Sequence, residues 1–130
     1  MNRGIEEQFV ESYIVKNRQE RMLFELRGKR REDAVWRFCH RSDEMLIESR
    51  IKACGPKIEQ VLRQRIAQSR AEKCYVISLF EGLDGKEFGR EEVLDLILGR
   101  GMPSIAVFDD FAIIETEQVQ GPAVKYLLEK

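Results

Sequence analysis

The chain has 130 residues and a mass of 15.2 kDa, with 43% hydrophobic residues, 35% charged residues and a formal net charge of -1. This length suits one domain over 1–130, and the composition excludes disorder, a collagen-like repeat and a membrane span, the longest nearly apolar run being Tyr75 to Phe80. The charge is divided along the chain, because residues 1–72 carry 16 Lys and Arg against 12 Asp and Glu while residues 73–130 carry 6 against 11.

Ile5, Phe9, Val10, Tyr13 and Ile14 recur at helical spacing and predict a first helix over about Ile5 to Val15. Asn17 followed three positions later by Glu20 has the form of a capping box, so a second helix is predicted to begin there. Met22, Leu23, Phe24 and Leu26 supply its buried side, and Gly28 suits a left-handed stop before Lys29-Arg30-Arg31. A third helix is predicted from about Glu32 to His40, with Glu32 and Asp33 in the first turn where the helix dipole favours acids. It carries Trp36 and Phe38, both read as core.

The segment 44–51 is ambiguous. Ser42 can cap a helix, which is the favoured reading, yet Met45, Ile47, Ser49 and Ile51 also alternate as in a strand. Gly55-Pro56 marks a restart, and Ile58, Val61, Leu62 and Ile66 place one stripe on a helix of about Pro56 to Ser69.

From Lys73 onward the pattern changes to strands. Cys74 to Phe80 suits a central strand covered on both faces, and Glu81 to Gly85 has the chemistry of a turn. A helix over Arg90 to Leu98 follows, closed by Gly99, Gly101 and Pro103. Ser104 to Phe108 and Phe111 to Glu117 flank Asp109-Asp110 as an antiparallel hairpin. After Gly121-Pro122 the residues 123–128 read as a last strand or as a helical turn. The whole predicts a two-layer α+β domain: a helical half over about 1–72 packed on a small, mainly antiparallel sheet over about 73–130 with one inserted helix.

Cys39, Cys54 and Cys74 are odd in number and form no C-x-x-C pair, which argues against a disulfide framework and a zinc knuckle. The N-terminal residues have no apolar leader core, so a reducing cytoplasm and no membrane contact are expected.

His40 is the only histidine and the first candidate for acid–base chemistry, with Asp43 three residues on to orient the ring. Cys39 beside it points about 100° away on a helix, so the two cannot act as a nucleophile and base pair. Asp109, Asp110, Glu115 and Glu117 form a carboxylate set of the type that holds magnesium. A tight hairpin places the turn and the strand end about four residues apart at roughly 3.4 Å each, too far for one ion, so no metal is assigned. No phosphate loop or nucleotide fingerprint occurs and no cofactor is implied.

The densest positive charge lies at Lys16, Arg18, Arg21, Arg27, Lys29, Arg30 and Arg31, against Glu20 and Glu25. Such a segment serves a polyanion or a protein partner, or is a solvated helical face. The leading expectation is a non-catalytic module that binds a protein partner or itself, through Lys16, Arg18, Arg21, Lys29, Arg30 and Arg31. The alternatives are a nucleic-acid-associated regulator using Lys16 to Arg31, and a small enzyme with a site near His40, Asp43 or Asp109.

Overall fold

The computed structural model describes residues 1–100, 102–116 and 123–130. Helix α1 spans Arg3–Tyr13, opened by Asn2, whose Oδ1 accepts the amide of Ile5 at 3.1 Å. It buries Glu6, Phe9, Val10 and Tyr13 on one stripe. The helix ends two residues earlier than Val15 because Ile14 is extended and bridges Leu46, while the Val15 amide donates to the Met45 carbonyl at 2.8 Å.

That bridge also sets the start of α2, Lys16–Leu26, with Val15 at the cap position and no side chain capping it. The capping box read at Asn17 and Glu20 is therefore not formed, since Asn17 already lies inside the first turn. Gly28 does not take the left-handed backbone either; among the described residues that conformation belongs to Gly55, Gly85 and Gly99. Met22 and Leu26, four apart, point inward, while Phe24 lies about 200° around the helix from Met22 and is 77% exposed.

Helix α3 spans Arg31–His40 and buries Ala34, Val35, Phe38 and Cys39. Trp36, expected in the core, is 45% exposed because it lies outside that stripe. The ambiguous segment divides into a short α4, Ser42–Met45, a 3-10 turn, Glu48–Arg50, and strand β1, Ile51–Gly55. The favoured helix over 44–51 is thus corrected, and Ser42 sits in α4 without capping it. A strand here also lies within the half read as helical. Pro56 stands in a turn ahead of α5, which spans Glu59–Ala67, so the proline does not open the helix.

Strand β2, Lys73–Ser78, pairs antiparallel with β3, Lys86–Gly89, which the sequence reading did not anticipate. The loop between them turns at Gly85, φ 74°, where an added Cβ would run into the Met1 sulfur. Helix α6 is only Val93–Ile97; Glu91 and Glu92 precede it, and Gly99, φ 74°, follows it as a left-handed stop. Strands β4, Ser104–Val107, and β5, Phe111–Glu115, form the expected hairpin around Asp109-Asp110, closed by the Phe108 amide on the Phe111 carbonyl at 2.9 Å. The terminal segment resolves as a strand, β6, Lys125–Glu129. Gly101, Glu117 and Gly121-Pro122 lie outside the described residues.

The chain is α+β, with N-terminal helices followed by an antiparallel six-stranded sheet in the order β1-β6-β5-β4-β2-β3. Side-chain alternation sends Tyr75, Ile77, Ile105, Ile114, Tyr126 and Leu128 into one apolar cluster with α1 to α4. Val76, Ala106, Ile113 and Leu127 point the other way, into a second cluster with Leu62 and Ile66 of α5 and Val93, Leu94 and Ile97 of α6. Both faces of the inner strands are therefore covered, which is why Cys74 to Ser78 reads as a continuous apolar run. No helix among the described residues is long and apolar enough to cross a membrane.

Candidate functional site

The residues singled out for acid–base chemistry do not converge. His40 ends α3 on the surface with its ring stacked on Trp36, centroids 4.7 Å apart and planes 11° from parallel. Asp43 is exposed on α4, and no hydrogen bond or ion pair links it to His40. Cys39 is buried beside the exposed His40, as helical geometry requires. Asp109 is exposed in the β4–β5 turn, at the other end of the sheet: Ser42 of α4 bonds Tyr126 near the start of β6, whereas the amide of Lys130, just past its end, reaches the Asp110 carbonyl.

Asp110 and Glu129 are joined by Arg65, whose guanidinium donates to each at 3.1 Å and lies 4.1 Å above the Phe111 ring. Glu115 stands at the far end of the hairpin from this turn and faces a partner the sequence reading missed. Lys125 lies directly opposite it on β6, with Nζ 3.6 Å from Glu115 Oε1. Glu115 is fully buried and also accepts the Gly99 amide at 3.1 Å, while Lys125 Nζ donates to the carbonyls of Pro56 and Ala123. Ser104 and Ser78 continue the same polar row across β4 and β2, their hydroxyls 2.8 Å apart. No spacing rule in the sequence links 115 to 125; the register of β5 on β6 does. Among the described residues, no group of three His, Cys, Asp or Glu side chains is placed to hold a metal ion.

The basic residues separate into an internal one and an outward set. Arg31 is mostly buried and donates to both oxygens of Glu6, at 2.8 and 2.6 Å, and to both of Asp84, at 2.7 and 2.9 Å. Tyr75 Oη donates to Glu6 Oε2 at 2.6 Å, and the Ser78 amide donates to Asp84 Oδ1 at 3.1 Å. Burial works against the Arg31 charge, but the two carboxylates more than offset it and raise its pKa. Arg31 is thus occupied in tying α1, α3 and the β2–β3 loop together. Lys16, Arg21, Arg27, Lys29 and Arg30 are exposed, and Arg18 is half-buried.

On the α2–α3 surface, three arginines edge a cleft of about 240 Å³. Arg18, Arg21 and Arg37 line it with Asn17, over a floor of Met22, Ala34 and Met45. Buried Glu25 holds two of them: Arg21 Nε donates to Oε1 at 2.7 Å, and Arg37 donates to Oε1 at 2.8 Å and to Oε2 at 3.0 Å. The Arg37 hydrogen bonds lower the Glu25 pKa against the opposing effect of burial, and Glu25 in turn raises that of Arg37. Arg18, half-buried, faces the more exposed Glu44 across a longer 4.0 Å contact.

Beside this cleft, on the outer side of α2, Phe24 projects between Glu20 and Arg27 over Leu23 and Gly28, around a shallow depression of about 390 Å³. The only stripe rule that could have found it is the placement of Met22 and Leu26, which leaves position 24 on the far side. No family model, curated protein or solved structure matches the chain.

Proposed function

We propose that this protein is a non-catalytic protein-binding module and that the outer surface of α2 and α3 is its contact face. The exposure of Phe24 carries the reading: at 77% it is the most exposed large hydrophobic side chain among the described residues, more open than Met1 at 70%. Leaving a phenylalanine in water forgoes about 1.5–3 kcal/mol of burial, which a contact would recover. Trp36, half exposed on α3, and the arginines at 18, 21 and 27 add the residue types that concentrate at protein contacts. Asp109 lies at the other end of the sheet from His40 and Asp43, and no bond joins His40 to Asp43, so a catalytic reading has no comparable support.

A nucleic-acid contact through Lys16 to Arg31 has less in its favour. Arg31 is occupied internally, and Glu20, Glu32, Asp33 and Glu44 stand exposed among the remaining cations, interrupting the field that would gather phosphates.

A photo-crosslinking amino acid placed at position 24, with the same label at exposed Val61 as control, tests the proposal in the source cells. A discrete protein adduct, or a crosslinked dimer of the chain, formed at 24 and not at 61 is expected. Equal labelling at both positions, or adducts of nucleic acid alone, would overturn it.

A further inference from the structure

The charge order on the outer face of α2 points to the partner it meets, and this step rests on the protein-binding reading above. Glu20, Leu23, Phe24 and Arg27 stand at i, i+3, i+4 and i+7, Arg27 being the helical cap residue, and with Gly28 they outline the shallow depression. Four residues at this spacing form the hole that receives a side chain from a facing helix. Glu20 is exposed and enters no hydrogen bond or ion pair among the described residues. Arg27 donates one N–H to Glu7 at 3.0 Å, in an exposed pair of the kind that contributes little, and keeps four of its five donors. A guanidinium of this fold can serve two acids, as Arg31 does for Glu6 and Asp84, Arg63 for Glu59 and Asp95, and Arg65 for Asp110 and Glu129. Arg27 has its first acid and donors for a second.

We infer that α2 pairs antiparallel with α2 of a second copy of this chain, about a two-fold axis between positions 23 and 24. The lining itself selects this occupant. Along the face the order is acid, apolar, apolar, base; turned end for end it reads base, apolar, apolar, acid, so the face is its own complement, as an isologous contact requires. The axis sets Leu23 of each copy against Phe24 of the other, and Glu20 of each against Arg27 of the other. Two ion pairs thus close around a core of two phenylalanines and two leucines. The other cations of the segment fall outside this contact: Arg31 is turned inward, Lys29 and Arg30 follow in the turn to α3, and Lys16 stands four residues before Glu20, past the end of the facing helix at Leu26. A contact of about two turns from each copy is at the small end of protein interfaces, so its Kd is expected on the order of 100 µM.

Sedimentation equilibrium of the full chain tests the pairing. The wild type is expected to dimerise, and Phe24→Ala, at an exposed position, should weaken the dimer about tenfold or more, since each dimer loses two rings. E20R alone and R27E alone should each weaken it about tenfold or more, because each sets two like-charge pairs across the axis. An equimolar mixture of E20R with R27E should recover dimer, now a heterodimer in which both charge pairs are opposite again, and this recovery also shows that the two variants fold. A wild type that stays monomeric up to about 1 mM, a dimer that Phe24→Ala leaves unchanged, or a mixture no tighter than its components would each overturn the inference. A monomeric chain that nonetheless crosslinks at position 24 to another protein would reject self-pairing while the binding-module reading stands.

Discussion

Arg31 and Asp84 lie 53 positions apart and share two hydrogen bonds, from Nε to Oδ2 at 2.7 Å and from Nη2 to Oδ1 at 2.9 Å. The same guanidinium grips Glu6, so one side chain joins α1, α3 and the loop between β2 and β3. Replacing Arg31 with Met should destabilise the protein by about 3–5 kcal/mol, because Glu6, only 3% exposed, would remain as a buried charge without its partner. Lys29→Glu and Arg30→Glu, in exposed positions, should each change stability by about 0.5 kcal/mol or less. Urea unfolding of the three variants separates the internal arginine from its two neighbours in sequence.

The Glu25 carboxyl is held below its ordinary value of 4.5, first by its hydrogen bonds with Arg37, so the folded protein releases this proton more readily than the unfolded chain. The resulting stabilisation is fully present above about pH 4.5 and is lost as pH falls through the lower, folded value. Urea unfolding from neutral to acid pH should show this loss in the wild type. Glu25→Gln should be less stable at neutral pH and should show a shallower decline in that acid window.

Cys74 is buried, and its thiol is pushed up to about 12, mainly by that burial. Cys39 is also buried, whereas Cys54 is exposed on the edge strand β1. In native protein at mildly alkaline pH, a thiol reagent followed by mass spectrometry should label Cys54 alone, with Cys39 and Cys74 reacting after addition of denaturant.

Phe38 is fully buried, with its ring edge-to-face on Phe9 at 5.8 Å between centroids. Phe38→Ala should cost about 3–5 kcal/mol by leaving a cavity, whereas Phe24→Ala should stay within about 0.5 kcal/mol. Thermal or urea unfolding of the pair checks whether Phe24 serves the fold or stands outside it.

Lys125→Met should destabilise by about 3–5 kcal/mol, since Glu115 would be buried without its cation. Adding Glu115→Gln should restore part of that loss, because the amide carries no charge to leave uncompensated. The double-mutant cycle in urea measures the coupling directly.

Much of the fold was legible in particular residues. The i, i+3, i+4 stripe of Phe9, Val10 and Tyr13 located α1, the continuous apolar run at Cys74 to Ser78 located an inner strand, and Asp109-Asp110 located a hairpin turn. Strand β3 was not legible, since Lys86-Glu87-Phe88-Gly89 is a four-residue edge strand whose first two residues are charged and exposed, so it shows no alternation of apolar and polar positions. Strand β1 was hidden for a related reason: it is held by pairing with β6, more than 70 residues away, as in Ile51 opposite Leu128. Phe24 and Trp36 have the chemistry of core residues, yet a residue's hydrophobicity does not say which side of a helix the rest of the chain covers, and both are exposed.

By itself the sequence determined the period and sign of each segment: amphipathic helices early, β-branched runs later, a basic stretch followed by an acidic half. These follow from interactions over three or four residues, which local spacing records. Only the tertiary structure decided that Arg31 is turned inward to two acids while Arg18 and Arg21 face out, that Glu115 meets Lys125, and that Asp109 lies at the opposite end of the sheet from His40 and Asp43. The cause is strand register and helix packing, which bring together charges with no fixed separation along the chain and bury a charge only where its partner arrives from elsewhere.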